Sequence, residues 1–452
     1  MERNLIIETI EKVGQEVLLK GWVESRRDHG KLIFLDVRDY SGTVQVVVNP
    51  KVSTEAHEVA STLSLQDVIS LVGTVNARPK GSENPDLPTG TVEVEAKKVE
   101  LISDAETLPF DFGAKDLEIN LDTALDYRPL TLRHAKNRAI FRIEAEIVRA
   151  FRDFLAERGF TEVFVPKITA EATEGGANVF RVDYFSRKAF LAQSPQFYKQ
   201  IMVGVYERVF TIGEVYRAEE HNTTRHLNEY TSLDFEFGFI KDHTDVMALE
   251  VDFLKYLFPY LAQAAKTEVG FLGVKLPEVK EIPSFKLREA QKIIEKEFGR
   301  KVLHEPDLSP QDERDFSAYV AEKSGSEFVF VTHQPVEHRP LYTMPDESDP
   351  GYTKSFDLLF RGVEITTGGQ RINDYDQLVE SMKKRSIKPE NFSFYLQAFK
   401  YGMPAEGGLA IGLERLTAKI IGADNIREAA LFPRDVTRID ISLAKFKDDG
   451  KK

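Results

Sequence analysis

The segment 219–229, EEHNTTRHLNE, is dense in charged and hydrogen-bonding side chains. Arg217 precedes it, and Arg225 and His226 lie towards its end. Guanidinium groups donate paired hydrogen bonds to phosphate oxygens, so cations that converge here suit a polyanion such as a nucleoside triphosphate. Tyr230 follows the segment and offers a flat ring for a base. A solvated hairpin tip with surface ion pairs fits the same composition equally well.

A second group of oxygen-bearing side chains surrounds the apolar run 358–360. Asp357 and Glu364 supply two carboxylates, and Thr367 supplies a hydroxyl in a predicted tight turn, residues 366–369, that leads to Arg371. Hard oxygen ligands of this kind suit Mg²⁺, which also keeps waters and phosphate oxygens. Charge pairs at a strand edge are the alternative, and these residues taken alone favour it.

Two further segments place a cation near a predicted helix start. The pair Ser194-Pro195 predicts a helix start that puts Gln196 and Lys199 on one helix face. The run GGLAIGLERL, residues 407–416, predicts a glycine-rich entry to a helix that carries Arg415. Glycine-rich loops are common and surface lysines are usually solvated, so each signal is weak by itself.

The elements next to the charged segment are predicted to be strands. Residues 209–212 read Val-Phe-Thr-Ile, and residues 233–239 alternate apolar and polar side chains as a half-buried strand does. The segment is therefore a loop between two strands. Upstream, apolar residues spaced by three or four over 140–154 predict an amphipathic helix. A predicted strand over 161–165 follows and stops at Pro166.

The chain divides into a strand-rich N-terminal part and a longer mixed part. Short strand-like runs over 17–102 predict a small barrel or sandwich, domain 1–104. Periodicity is lost in 105–135, which we interpret as a linker or hinge. Residues 136–452 form the second domain, with an inserted module around 270–345. The module contains a predicted helix near 287–298 and a predicted strand over 328–332.

Composition limits the possible functions. A net charge of −13 and a pI near 5.4 argue against binding nucleic acid over the whole surface, although a local basic groove remains compatible. The sequence has no cysteine, which excludes disulfides, thiolate metal sites and cysteine nucleophiles. The N-terminus lacks the apolar core of a secretion signal, and no run approaches the ~20 apolar residues of a membrane span. We therefore predict a cytoplasmic protein that does not contact a membrane.

Five segments, in order, resemble motifs of the class II aminoacyl-tRNA synthetases, and of the aspartyl-tRNA synthetases in particular. They are ATEGG (172–176), LAQSPQFYKQ (191–200), YRAEEHNTTRHLNE (216–229), EITTGGQR (364–371) and GGLAIGLERL (407–416). The resemblance covers nearly the whole chain. It implies an α+β fold, with an N-terminal OB-fold β-barrel and a catalytic domain whose antiparallel sheet is flanked by helices.

The resemblance implies ATP as a substrate and Mg²⁺ as a cofactor. It implies that Arg217 contacts the α-phosphate and acts in catalysis with Arg415, that Glu219 reads the adenine amino group, and that Tyr230 stacks on the ring. The implied ATP-binding set is Arg217, Glu219, Arg225, His226, Tyr230, Glu364 and Arg415. The implied metal ligands are Asp357, Glu364 and Thr367. Because the substrate carboxylate attacks, catalysis would rest on positioning and electrostatics.

The resemblance also implies L-aspartate as the amino-acid substrate. Lys199 and Arg371 match the pair that binds its side-chain carboxylate, and the whole implied set is Glu174, Ser194, Gln196, Lys199, Asp234 and Arg371. An asparagine amide would turn N–H donors towards these charged donors. Mismatches of buried polar groups discriminate by roughly 10⁴-fold. Aspartate is therefore favoured over asparagine.

The barrel segment 21–48 resembles the anticodon-binding OB-fold of the same enzymes and implies tRNA as a partner. Phe34 would stack on an anticodon base, Gln45 would read another, and Arg26 and Arg27 would meet phosphate or stack. Without the family, Phe34 is better interpreted as a core aromatic. Family members charge either the aspartate tRNA alone or the asparagine tRNA as well. The residues near Glu24 and the 79–90 loop leave that question open.

The family is dimeric, so the resemblance implies a homodimer with Pro166 and the preceding helix at the interface. Two alternatives to aspartate attachment remain. An asparaginyl-tRNA synthetase would use asparagine instead of aspartate. A catalytically silent paralogue would bind RNA through the barrel alone, and would not need Arg217, Glu364 and Arg415, all of which are present.

Overall fold

The computed structural model describes residues 1–85, 87–113, 116–172, 178–220 and 223–445. The chain forms two compact units, Met1–Asn120 and Leu121–Lys452. Their boundary lies inside the segment 105–135 that we interpret as a linker. The C-terminal part of that segment is helical, because short helices begin at Leu121 and Arg128.

The first unit is a closed five-stranded barrel, as the sequence predicts. Its elements are β1 Glu16–His29, β2 Leu32–Arg38, β3 Thr43–Val48, α1 Thr54–Thr62, β4 Val68–Ala77 and β5 Val92–Ser103. The strand order is β1-β2-β3-β5-β4. Alternate residues of each strand point inwards, and the interior is filled by valine, leucine and isoleucine side chains. A 3₁₀ helix, Ile6–Glu11, precedes the barrel.

The second unit is built on a large mixed sheet. A small three-stranded sheet accompanies it. The strands of both sheets are β6 Thr161–Glu162, β7 Ile168–Thr169, β8 Arg181–Tyr184, β9 Arg187–Leu191, β10 Arg208–Tyr216, β11 Glu229–Gly238, β12 Ser284–Lys286, β13 Phe328–Thr332, β14 Ser355–Phe360, β15 Val363–Gln370 and β16 Glu406–Gly412. The large sheet has the order β12-β13-β14-β15-β16-β11-β10-β6, and the small one β7-β9-β8. The central pairs are antiparallel, and the edge pairs β12–β13 and β10–β6 are parallel.

Helices flank the large sheet. They are α2 Leu121–Asp126, α3 Arg128–Thr131, α4 Ala135–Ala156, α5 Gln196–Tyr206, α6 His243–Ala264, α7 Lys266–Leu272, α8 Leu287–Phe298, α9 Pro310–Ser324, α10 Tyr375–Lys384, α11 Ser393–Lys400 and α12 Leu413–Ile421. Further 3₁₀ helices are Val336–His338, Pro389–Phe392, Ile426–Ala429 and Leu443–Lys445. The apolar faces of α4, α6 and α12 pack on the sheet and form the largest core cluster. No helix in the described part of the chain is long and apolar enough to span a membrane.

Two local predictions are wrong. The predicted turn at 366–369 is part of β15. Its glycines allow close packing, because a Cβ on Gly368 would lie 2.4 Å from the Phe356 ring and one on Gly369 would lie 2.8 Å from the Lys354 carbonyl oxygen. The strand predicted over 161–165 is shorter, since regular pairing stops after Glu162.

A β-bulge interrupts the pairing of β14 with β15. Leu358 pairs with Thr366 and Leu359 pairs with Glu364, so Ile365 is an extra residue in β15. Across the bulge, the Thr367 hydroxyl donates a hydrogen bond to Glu364 Oε1 over 3.1 Å. The bulge therefore brings these two side chains to one face of the strand.

Candidate active site

A cavity of about 360 Å³ lies on the sheet between the loop after β10 and the ends of β15 and β16. Most of the side chains predicted from the sequence to bind ATP or the amino acid line it. These are Ser194, Gln196, Arg217, Glu219, Arg225, His226, Tyr230, Glu364, Thr367, Arg371 and Arg415. The fold thus gathers residues from four separate segments around one space. Of the remaining predictions, Lys199 and Asp234 are buried within the protein and Asp357 borders a smaller adjacent cavity. Glu174 lies outside the described residues.

One end of the cavity rests on a fully buried charge network. Lys199 of α5 has no exposed surface, and its Nζ lies 2.8 Å from Asp234 Oδ1 and 3.2 Å from Glu236 Oε2. Arg371 donates from Nε to Glu236 Oε1 over 2.7 Å and from Nη2 to the Gly408 carbonyl over 2.9 Å. Burial by itself raises the pKa of Glu236, but the charges of Arg371 and Lys199 outweigh it and hold that pKa below its usual value. Two cations and two carboxylates therefore neutralise each other.

A second layer of polar side chains supports this network. Gln196 Nε2 donates to Glu236 Oε1 over 3.1 Å, and Gln200 Nε2 donates to Glu406 Oε1 over 2.9 Å. The Tyr395 hydroxyl donates to Gln200 Oε1 over 2.8 Å. Burial and then the charge of Glu236 raise the pKa of Glu406 well above its usual value, so this carboxyl holds its proton more tightly than an exposed glutamic acid does.

The glycine-rich run belongs to this end of the cavity. Gly407 and Gly408 lie in β16 rather than in a phosphate-binding loop, and α12 begins after them. A Cβ on Gly408 would lie 2.3 Å from Glu236 Oε2. Glycine is therefore required here because the Glu236 carboxylate occupies the space that a side chain would fill.

The opposite end of the cavity carries cations that reach solvent. The Arg217 guanidinium lies at the mouth of the loop after β10, 4.0 Å from Glu219 Oε1, and its side chain is 42% exposed. It also lies over the Tyr230 ring, 5.8 Å from the centroid. His226 Nε2 is 3.8 Å from Glu219 Oε2, so Glu219 stands between the Arg217 guanidinium and the His226 imidazole.

Arg415 and Arg225 complete this end. Arg415 Nη1 donates to the Glu364 carbonyl over 3.0 Å and lies 3.5 Å from Glu364 Oε1. Arg225 donates from both terminal nitrogens to Glu313, a residue of the inserted module, over 2.9 and 2.8 Å. Burial lowers the pKa of Arg225, but the bonds to Glu313 outweigh it, so the pKa is raised and the charge is permanent.

The donors predicted for magnesium fit a hard divalent cation. Asp357 is buried on β14 opposite Thr367, and its Oδ2 accepts hydrogen bonds from Gln334 over 2.6 Å and from Arg339. Its Oδ1 is buried with no hydrogen-bond partner within the described chain, which leaves one anionic oxygen available. Burial and the charge of Glu364 raise the pKa of Asp357. No group of three or more acidic or histidine side chains in the described chain converges on a metal position. Mg²⁺ commonly takes one or two carboxylates and completes its shell with water and phosphate oxygens, and the Asp357 and Glu364 carboxylates line one small cavity.

Sequence reasoning missed Glu236, Gln200, Glu406 and Glu313. Glu236 had a usable signal, since it is two residues from Asp234 on the same face of β11. Gln200 adjoins Lys199, and Glu406 adjoins the glycine-rich run. Glu313 had no usable signal in the sequence, because 88 residues separate it from Arg225.

In the barrel, Phe34 and Gln45, both predicted to contact tRNA, share one face. Asp36 pairs with Gln45 across β2 and β3, and Phe34 lies two residues before Asp36, so Phe34 and Gln45 face the same way. Phe34 is half-buried and packs edge-on against His29 at 5.7 Å, outside the barrel core. The Gln45 amide donates to Glu93 over 3.0 Å.

Arg26 lies on the other face of the barrel wall. It pairs with the buried Leu35, and its Nε donates to the Ala60 carbonyl over 3.0 Å. Its Nη2 forms an ion pair with Asp28 over 2.9 Å. Arg27, the other arginine predicted to contact tRNA, pairs with Phe34 and shares its face.

Comparisons with known proteins match both units. Residues 120–436 match the family described as tRNA synthetases class II (D, K and N), and residues 17–102 match the OB-fold nucleic acid binding domain family. The chain is 45% identical to the aspartate–tRNA(Asp/Asn) ligase of Deinococcus radiodurans, with 97% of this chain and 99% of the relative covered. It is 46% identical to the aspartate–tRNA(Asp/Asn) ligase of Thermus thermophilus, with the same coverage. Among solved structures, the asparaginyl-tRNA synthetase of Pyrococcus horikoshii complexed with asparaginyl-adenylate gives a TM-score of 0.89 at 31% identity, covering 97% of this chain and 99% of that one.

Proposed function

Because this chain belongs to the aspartate–tRNA ligases among the class II tRNA synthetases, we propose that its cavity joins L-aspartate to tRNA through an aspartyl-adenylate. In the first step, an α-carboxylate oxygen of aspartate attacks the α-phosphorus of ATP, and pyrophosphate leaves. In the second, a hydroxyl of the terminal ribose of tRNA attacks the activated carbonyl, and AMP leaves.

One observation carries the choice of aspartate: two cations, Lys199 and Arg371, both pair with Glu236, and Arg371 lines the closed end of the cavity. The aspartate side-chain carboxylate accepts hydrogen bonds from such donors. An asparagine amide would present its own N–H groups to them. In a desolvated site this mismatch leaves donors unpaired. Such a mismatch favours the matching substrate by roughly 10⁴-fold. Glu236 holds both cations in place and therefore contributes to selectivity.

The remaining amino-acid contacts surround the α-amino group. We assign this role to Gln196 and Asp234, with Ser194 at the cavity wall. Glu174 belongs to the same proposed set on the strength of its sequence motif alone. An ammonium group requires acceptors, and carboxylate and amide oxygens at this end supply them.

ATP occupies the open end in this proposal. Arg217 contacts the α-phosphate, where negative charge develops as the aspartate carboxylate attacks, and an oriented guanidinium stabilises that charge. Glu219 accepts the adenine amino group and Tyr230 stacks on the ring. Arg225, His226 and Arg415 hold the terminal phosphates. Arg217 and Arg415 are the catalytic residues because both touch the reacting phosphates.

Asp357, Glu364 and Thr367 would hold Mg²⁺. The ion would draw charge away from the departing pyrophosphate. Glu364 is prepared for that role, because burial raises its pKa but Arg415, Arg339 and Arg225 outweigh burial and keep it ionised.

The barrel reads the anticodon through Phe34 and Gln45, with Arg26 as a third predicted contact. Names of the Deinococcus and Thermus relatives include both the aspartate and the asparagine tRNA, so we extend the proposal to both tRNAs. In the barrel, Glu24 forms an ion pair with Arg38 at 2.6 Å on the strands that carry the proposed anticodon face.

We also propose a cytoplasmic homodimer. Phe164 and Phe239 are 85% and 75% exposed, and Val205 is 60% exposed. They flank one small apolar cluster around Val163, Val203 and Val209. Large exposed apolar side chains next to one another favour a protein interface. Pro166, two residues after Phe164, belongs to the same region.

An asparaginyl-tRNA synthetase is the second candidate, since the structure with the TM-score of 0.89 has that activity in its name. This alternative predicts that pyrophosphate exchange depends on asparagine. Aminoacylation with labelled aspartate on separate aspartate and asparagine tRNA transcripts, with labelled asparagine as the control, tests both. We expect aspartate on both tRNAs and no asparagine on either. Asparagine on the second tRNA without aspartate on either would overturn the assignment of Lys199 and Arg371.

A further inference from the structure

Glu313 of α9, in the inserted module, contacts two residues that line the cavity, Arg225 and Glu364. Only 4% of Glu313 is exposed. Its two carboxylate oxygens accept hydrogen bonds from the two terminal nitrogens of Arg225 at 2.8 and 2.9 Å. This is a two-point pairing of planar groups, which fixes the orientation of the guanidinium as well as its position.

The same carboxylate also fastens β15. Glu313 Oε2 accepts a hydrogen bond from the backbone N–H of Glu364 over 3.1 Å. The approach of α9 to this strand is close, because a Cβ on Gly362 would lie 3.1 Å from the Arg314 Cα, and Gly362 has a φ of +78°. One side chain of the module thus joins the loop that carries Arg225 to the strand that carries Glu364.

The pairing leaves part of Arg225 directed to the cavity. A guanidinium has five N–H donors, and Glu313 takes two of them. Arg225 Nε is buried with no hydrogen-bond partner in the described chain, and Arg225 lines the cavity. Its backbone carbonyl accepts a hydrogen bond from Arg415 Nε over 3.4 Å. Arg225, Arg415 and Glu364 therefore form one connected group around Glu313.

We infer that Glu313 is a positioning residue for the ATP triphosphate, and that it acts through its contacts with Arg225 and Glu364. This rests on the proposed function in placing the triphosphate at this end. An arginine side chain that is already ordered loses less conformational freedom when a phosphate binds. Glu313 supplies that order without touching the substrate. The opposite arrangement, in which Glu313 withholds Arg225 from ATP, would make its removal strengthen ATP binding.

The test compares Glu313→Gln with Glu322→Gln. Both residues lie on α9, and the Glu322 side chain is 72% exposed beside Lys323. In Glu313→Gln, the new side-chain amide places N–H donors against Arg225 and breaks the pairing with little change in volume. We expect the Kd for Mg·ATP, measured by calorimetry without aspartate, to rise about tenfold in Glu313→Gln, the scale of one charged hydrogen bond. Glu322→Gln should match the unsubstituted protein.

Pyrophosphate exchange gives the second readout. Glu313→Gln should raise the KM for ATP with little change in the KM for aspartate, and in an Arg225→Ala background it should have no further effect. Equal ATP binding in both glutamine variants, tighter ATP binding in Glu313→Gln, or additive effects with Arg225→Ala would each overturn the inference. Absence of aspartate-dependent exchange in the unsubstituted protein would instead count against the proposed function, and the calorimetric comparison would still decide the role of Glu313.

Discussion

The two ends of the cavity use charge in opposite ways. At the closed end, Lys199 has no exposed surface and is held by two carboxylates. At the open end, the Arg217 side chain is 42% exposed and that of Arg415 is 22% exposed. In the proposed function, the closed end separates a carboxylate from an amide of almost the same shape, which requires a desolvated and rigid set of donors. In the same proposal, the open end holds ATP through several cations, and contact with water does not prevent that.

This difference separates stability from activity. Charges at the closed end are part of the folded core, so removing one leaves its partners buried and unpaired. Charges at the open end can be removed with little effect on folding. Three predictions test that contrast.

The largest effect is expected for Lys199→Met. Loss of this cation leaves Asp234 and Glu236 facing each other in the interior, and we expect the free energy of unfolding to fall by ~3–5 kcal/mol, together with loss of exchange activity. Urea unfolding measures the first quantity. Lys188→Met is the control, since the Lys188 side chain is 69% exposed in a surface pair. An unchanged unfolding free energy in Lys199→Met would remove the contrast between the two ends.

Arg217→Ala is expected to act on activity alone. Adenylate formation should fall by ~10³-fold, because the charge that develops at the α-phosphate loses its oriented donor. The urea midpoint and tRNA binding should stay near their original values. Arg208→Ala is a matched control. Arg208 is the first residue of β10, the strand that ends just before Arg217, and its side chain is 43% exposed. Equal activity in the two alanine variants would contradict the role of Arg217.

The smallest effect concerns Glu406, a fully buried acid at the closed end. Its folded-state pKa is raised above the usual 4.5, so it stabilises the fold below pH 4.5 and that stabilisation is lost as pH rises through the folded pKa. In Glu406→Gln, the side chain at this position has no carboxyl group to titrate. The variant should therefore gain stability relative to the unsubstituted protein as the pH rises, as measured by urea unfolding at several pH values. A difference that stays constant with pH would mean that Glu406 is ionised in the folded protein.

Sequence patterns were sufficient for much of the site and failed where burial decided the outcome. The loop between β10 and β11, the helix start before Gln196 and the barrel follow from local spacing and are confirmed by the structure. Glu236 was interpreted as the polar face of a half-buried strand, because alternation shows which residues share a face. It does not show that β11 is central in the sheet and covered on both sides.

The second wrong prediction concerns two glycines that were interpreted as a turn. The pair Gly368-Gly369 resembles a turn, yet both residues lie in β15 with negative φ. What they provide is space for the Phe356 ring and the chain at Lys354. A turn and a close contact require glycine for different reasons, and one sequence cannot distinguish them. The hydrogen bonds that Arg225 donates to Glu313 could not be predicted from the sequence for a third reason. They depend on how the inserted module packs against the sheet.

The bulge at Ile365 determines how one strand can serve both ends of the cavity. Seven residues separate Glu364 from Arg371, a span of ~23 Å in an extended chain. An odd separation would send the two side chains to opposite faces of a regular strand. The extra residue reverses the alternation once, so Glu364 and Arg371 both line the cavity. Deleting Ile365 would restore the regular count and turn Glu364 to the opposite face of the strand. In this stretch, the number of residues matters as much to the chemistry as their identity.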